Sequence, residues 1–255
     1  MAKVSICIEM LFGEHEFNQR PAAAAAAGFD TIEFWGAGNK DVTALRAACD
    51  EAGVRVATFA AMGGLPLVEP QPREALEDAL RADLAVAEQF GVDVLIVTVG
   101  NALEGVSRRE QADNIAANLR QVAPLAAEAG VRIAVEPLNT LVDHVGYFLD
   151  STQEARQIVD QVGSPAVGLL YDCYHMQIME GNLIETIRAN VDVIHHVHVA
   201  DVPGRYEPGS GEINYASVFK ALDEAGYEGW CGMEFRPTDS SAPALERAMR
   251  ACGLS

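Results

Sequence analysis

Eight times between residues 4 and 252 a short, β-branched apolar run is followed by a longer helix-forming segment, and no other feature limits the fold as strongly. The runs are VSICI (4–8), TIEFW (31–35), VRVATFA (54–60), VDVLIVTVG (92–100), VRIAVEPLN (131–139), VGLLYDCYH (167–175), IHHVHVAD (194–201) and WCGMEF (230–235). Helices are predicted at 16–27, 41–52, 72–90, 108–129, 152–162, 178–190, 214–225 and 241–252. Several end at a glycine, the usual helix stop, and the tripeptide EAG recurs at 51–53, 128–130 and 224–226. Near-continuous apolar strands alternating with helices call for a parallel sheet covered on both faces. Eight regular units favour a closed (β/α)₈ TIM barrel over an open doubly wound sheet, as one α/β domain over residues 1–255. No dinucleotide fingerprint follows the first strand and no GxxxxGK[ST] occurs anywhere.

Composition narrows the function. Lys and Arg number 18 against 37 Asp and Glu, a formal charge of −19, which repels nucleic acid and anionic lipid surfaces. No apolar stretch approaches the roughly 20 residues that span a bilayer, and Met1-Ala2-Lys3 leads into a strand without a signal peptide. The five cysteines are scattered and lack any CxxC pair, which reads as reduced thiols in a cytoplasmic protein. A small molecule is therefore the expected partner, with neither nucleic acid nor membrane; the oligomeric state is left open, a homo-oligomer included.

The last four strands each end in a residue able to bind a cation: Glu136, Asp172, His198 and Glu234. Alternation along a strand puts Ala134 with Glu136 and Leu170 with Asp172 on the same, inward face. A carboxylate turned into a barrel is costly unless paired or bound to metal. A single Glu at a strand end is ordinarily a surface or capping group, but four compatible ligands on four successive strands point to one site. Three carboxylates and an imidazole suit Mn²⁺, Mg²⁺ or Co²⁺ better than zinc. Long connections at 61–71, 139–151 and 201–212 mark the same rim as the working face.

Such a cation acidifies the C–H beside the carbonyl of a chelated hydroxy-carbonyl compound by stabilising the enediolate, and Glu136 and Glu234 can move protons to and from that carbon. The expected reaction is isomerisation or epimerisation of a small hydroxy-carbonyl compound. His175, three residues past Asp172, can reach a substrate oxygen or start a helix. Arg205 can bind a carboxylate or hydroxyl; Asn139 and His144 can line the pocket; Trp35, which ends the second strand with Glu33, can form an apolar wall. His196 reads as a core histidine and Asp201 as a turn former.

These residues carry a resemblance. AGFDTIEFW (27–35), VEPLNTLVDHVGYFL (135–149), LLYDCYHMQIMEGNL (169–183), HVADVPGRYEPGSGEINY (198–215) and GWCGMEFRP (229–237) resemble the hydroxypyruvate isomerase family of the xylose-isomerase-like TIM-barrel superfamily. The resemblance implies Glu136, Asp172 and Glu234 as metal ligands, the two glutamates as acid and base, and interconversion of hydroxypyruvate with tartronate semialdehyde or the analogous reaction of 2-oxo-tetronate. His198, where bacterial members of that family tend to have Gln, and the Asp172-x-x-His175 spacing are more similar to the ketose 3-epimerases of the superfamily. Those epimerases carry a substrate-binding Glu where this chain has Val142, and a ketose is the alternative substrate.

Overall fold

The computed structural model describes residues 3–63 and 65–254. Met1-Ala2, where the sequence opens, Gly64 within the loop at 61–71, and Ser255 lie outside the described residues. Eight parallel strands close into a barrel in sequence order: β1 (Lys3–Cys7), β2 (Thr31–Phe34), β3 (Arg55–Ala60), β4 (Val94–Val97), β5 (Arg132–Val135), β6 (Val167–Asp172), β7 (Ile194–Val199) and β8 (Trp230–Met233). Closure is made where Lys3 pairs with Trp230 and Ile6 with Met233. The outer ring comprises α1 (Arg20–Ala26), α2 (Val42–Ala52), α3 (Arg73–Phe90), α4 (Arg108–Glu128), α5 (Thr152–Val162), α6 (Cys173–Met179), α7 (Leu183–Asn190), α8 (Tyr215–Glu224) and α9 (Ser241–Cys252). No helix among the described residues is long and apolar enough to cross a membrane.

Local chemistry explains the boundaries. Asp41, Ser107, Ser151 and Asn214 each accept a backbone N–H in the first turn of α2, α4, α5 and α8. The glycine of the first EAG ends α2 in the left-handed conformation, φ 68°, which a side chain would strain. Two expectations are corrected. The helix expected at 178–190 is two helices: Asp172 takes the amide of His175, so α6 starts as soon as β6 ends, and the left-handed pair Gly181 and Asn182 separates it from α7. The run at 92–100 pairs only over Val94–Val97, because the Val99 carbonyl turns to accept from Leu67 in the loop after β3.

The larger apolar core lies between strands and helices, and a smaller cluster of Val94, Ile96, Ala134 and Leu170 fills one side of the barrel interior. The other side, toward β1, β2, β7 and β8, is polar: Ser5, Glu33, His196 and His198 are all buried there. All five cysteines are free and buried.

His195, on the opposite face of β7, packs over Gly168 and donates from Nδ1 to the Ile133 carbonyl at 3.2 Å. Burial, reinforced by Arg132, pushes its pKa down from 6.5 to about 4. The unfolded chain thus holds this proton more tightly, so the stabilising contribution is complete above pH 6.5 and is lost as pH falls toward about 4. Wild type is expected to lose about 2 kcal/mol between pH 8 and pH 5 that His195→Gln does not lose, by urea unfolding. A pH-independent difference between the two proteins would exclude His195 as the source.

Candidate active site

Glu136 and Glu234 lie one residue beyond β5 and β8, yet their amides still donate across the ladder, to Val97 O and Val199 O at 3.1 Å each. That keeps both side chains on the inward parity. Asp172 is held as the cap of α6, and His198 pairs in register with it and with Gly232. The four side chains are buried, and each contributes a ligand atom within 4.8 Å of the others. His198 Nδ1 is 3.1 Å from Glu234 Oε2, 3.4 Å from Glu136 Oε1 and 3.8 Å from Asp172 Oδ2. The sequence-predicted ligands therefore converge.

The donor set fits a divalent cation. His198 Nδ1 is buried among three carboxylates without forming an aligned hydrogen bond to any group of the described residues. The carboxylates already attract positive charge: burial pushes the His198 pKa down, but Glu234 and Glu33 outweigh it and raise it well above the ordinary value. Conversely, burial works to raise Glu234, and His198 and Arg205 bring it well below the carboxylate range. Three carboxylates, the Arg205 guanidinium and one divalent ion make a neutral site.

Above this cluster is a cavity of about 240 Å³. Ala60, Ile96, Leu138 and Trp35 form its apolar wall, while Glu136, Glu234, His144, His175, His198 and Arg205 supply its polar surface. Trp35 does more than form a wall, since its indole N–H donates to Glu234 Oε1 at 2.6 Å. Arg205 donates to the other oxygen, Glu234 Oε2, and lies 3.8 Å from Asp172. Its guanidinium packs over Tyr174, and its buried Nε has no hydrogen-bond acceptor among the described residues. Burial lowers the pKa of His144, so it is neutral at pH 7.

Asn139 does not line the cavity; it supports His175 from behind, which corrects its expected role as a pocket residue. Its side-chain oxygen accepts from the amides of Val142 and Asp143, so its NH₂ must face Asp143 and His175 Nδ1, at 2.8 and 2.7 Å. His175 Nδ1 is then an acceptor and Nε2 carries the proton. That N–H is buried beside the cavity, 3.6 Å from Asp172 Oδ2 but with no hydrogen-bond acceptor among the described residues, suited to a substrate oxygen.

Asp201, read as a turn former, organises a whole loop. Its carboxylate accepts from the amides of Val202, Gly209, Gly211 and Ile213, at 2.8–3.0 Å. Its backbone carbonyl accepts from Arg205, which is held at φ 60°. Glu33, named in the sequence only as part of a strand end, is buried and contacts Ser5, His196 and His198. The available signal was parity: Ile32 and Phe34 point outward to the helices, so Glu33 must point inward.

The family model described as xylose isomerase-like TIM barrel matches residues 21–252. A 2-oxo-tetronate isomerase of Cupriavidus necator is 34% identical over 252 residues, 96% of each chain. The hydroxypyruvate isomerase of Escherichia coli K12 is 31% identical over 253 residues, 96% of this chain and 97% of the relative. A crystal structure from Brucella melitensis, described as an AP endonuclease of family 2, superposes with a TM-score of 0.90 at 29% identity, covering 96% of this chain and 97% of the other. Fold, matched family model and near full-length relatives agree: the chain belongs to the xylose isomerase-like TIM barrel family and is an enzyme of the isomerase class.

Proposed function

We propose that this chain is a divalent-metal-dependent isomerase of small hydroxy-carbonyl acids, acting on hydroxypyruvate or 2-oxo-tetronate. The reading rests on one observation above all: Glu136, Asp172, His198 and Glu234 converge at the floor of a cavity that Glu136 and Glu234 also line. Those four residues would hold Mn²⁺, Mg²⁺ or Co²⁺, which supplies Lewis-acid polarisation of the substrate carbonyl and so acidifies the neighbouring C–H. One glutamate takes the proton from the hydroxymethylene carbon and a proton is returned to the former carbonyl carbon by the other or by the same one, while the proton of the neighbouring hydroxyl passes to the former carbonyl oxygen. His175 Nε2–H and the Arg205 guanidinium are placed to bind substrate oxygens, the carboxylate among them. Trp35 and Leu138 cover the reacting end and limit water there.

A ketose 3-epimerase is the second reading, favoured by His198 and by the Asp172-x-x-His175 spacing. Against it, Val142 stands where the epimerases carry a substrate-binding Glu, and it is 63% exposed. The endonuclease description of the Brucella protein is not carried over, because a net charge of −19 opposes a phosphate backbone.

Product NMR tests the proposal, with hydroxypyruvate, 2-oxo-tetronate, D-fructose, D-tagatose and L-ribulose each incubated with Mn²⁺, Mg²⁺, Co²⁺ or chelator. Isomerisation of an acid, abolished by chelator, is expected. Turnover confined to the ketoses would favour the second reading, and turnover surviving complete chelation would remove the metal. Trp35→Phe keeps most of the apolar wall but deletes the donor to Glu234. A hydrogen bond to a charged group contributes about 1.5–3 kcal/mol, so kcat is expected to fall by about 10-fold or more. An unchanged kcat would reduce Trp35 to a wall.

A further inference from the structure

Below the cation-binding cluster, inside the barrel, lies a second group of buried polar side chains. Glu33 of β2 is 2% exposed and shares no loop or rim position with the cavity. One of its oxygens is fully engaged: Oε2 accepts from Ser5 Oγ at 2.6 Å and meets His196 Nε2 at 3.0 Å. The other, Oε1, has no aligned partner and lies 3.1 Å from His198 Nε2, which likewise has none. The remaining nitrogen of the same ring, Nδ1, faces Glu136, Asp172 and Glu234. The barrel makes room for this carboxylate. Gly232 pairs with both Ser5 and His198 across the sheet, and a Cβ there would lie 2.2 Å from Glu33 Oε1.

A buried carboxylate is expensive to retain, and Glu33 is not among the residues that line the cavity. What it does touch is the back of the one imidazole among the candidate ligands. Metal-binding histidines generally donate their second ring N–H to a carboxylate or carbonyl, which fixes the tautomer and strengthens the ligand. We propose that Glu33 is a positioning residue for metal binding: it accepts the Nε2 proton of His198 and thereby presents Nδ1, unprotonated, to the cation. Ser5 and His196 anchor Glu33 by its other oxygen, so the chain of contacts runs from β1 and β7 through β2 to the metal ligand. The inference rests on the metal reading above, and it adds a residue of β2 to a cluster otherwise built from β5 to β8.

The test reads Mn²⁺ affinity by the electron paramagnetic resonance of free ion, on the full chain, for wild type and Glu33→Gln. Loss of such a carboxylate partner generally weakens metal binding 10–100-fold, and that range is expected for Glu33→Gln at a stoichiometry of one ion per chain. A long-range ¹⁵N–¹H spectrum of the Mg²⁺-loaded wild type supplies a signature that a merely structural role would not produce, with His198 protonated at Nε2 and bare at Nδ1. Equal Mn²⁺ affinity in folded Glu33→Gln, or a His198 protonated at Nδ1 in the loaded protein, overturns the proposal. So does a second ion bound per chain and lost in the variant, which would make Glu33 a ligand itself. If Glu33→Gln fails to fold, Ser5→Ala carries the test: a Kd raised at least 3-fold supports the role and an unchanged one overturns it. A wild type that binds no Mn²⁺ defeats the metal reading as well, and is thereby distinguished from failure of the Glu33 step alone.

Discussion

Glu136→Gln and Glu234→Gln are each expected to lower kcat by at least about 100-fold while the protein stays folded, because general acid–base catalysis contributes about 10²–10⁴-fold. The two should differ in what else they lose. Glu136 meets His198 Nδ1 at 3.4 Å and otherwise faces the cavity, so an amide there keeps an oxygen for the cation at little cost. Glu234 receives Trp35 on one oxygen and Arg205 on the other. A glutamine at 234 must turn its NH₂ toward one of those donors, so Glu234→Gln is expected to bind Mn²⁺ more weakly than Glu136→Gln. Solvent exchange sharpens the test. In D₂O the wild type should place deuterium at the carbon next to the carbonyl, since the proton passes through a carboxyl group. Full retention of the migrating hydrogen means either a carboxyl sealed from water or a hydride shift. Exchange into unreacted substrate, measured in each variant, identifies proton transfer: a surviving base whose proton reaches water washes in label, whereas neither a sealed carboxyl nor a hydride shift does. Full activity in either variant removes that glutamate from the mechanism.

Asp201→Ala should be the most damaging single change outside the cation-binding cluster. Its carboxylate satisfies four backbone amides and is itself fully buried. Each buried donor left unpaired costs about 1–3 kcal/mol, and relaxation of the loop will recover part of that, so a loss of several kcal/mol is expected on chemical unfolding. Catalysis should fall too, because Arg205 hangs from the same residue and reaches Glu234 only while its left-handed backbone is held. Asn offers no rescue, since its NH₂ would oppose the amides that the second oxygen accepts. A variant with wild-type stability and kcat/KM would show that Glu207, bonded to Thr238 and Arg247, holds the loop alone.

The barrel was legible because its signals are periodic and repeated: an apolar run opens every unit, several helices stop at a glycine, and the EAG tripeptide marks three of them. The candidate ligands were legible for a different reason, as each is a polar residue at the end of a largely apolar run. What escaped depends on distance in space. Nothing near Glu33 in sequence announces Ser5 or His196, and nothing in Gly232 says that its missing side chain is filled from β2. Asn139 was placed on the correct loop with the wrong neighbour, because its role follows from two amides that only the folded turn presents. The early start of α6 was hidden by capping, since Asp172 looks the same in sequence whether it binds a cation, a backbone amide or both.

β3 and β4 stand apart from the residues proposed to move protons and hold the cation; among the described residues, these strands and the residue after β4 supply Ala60, Ile96 and Thr98 to the cavity. Their two following loops are stitched together: the amides of Leu67 and Val68 donate to Val99 O, and a Cβ on Gly100 would press within 3.2 Å of Pro66. For adaptation to new substrates this makes one inherited unit of two distant sequence segments. Mutations in either loop alone are expected to be epistatic with the other, whereas exchanging both together from a relative is expected to preserve their packing.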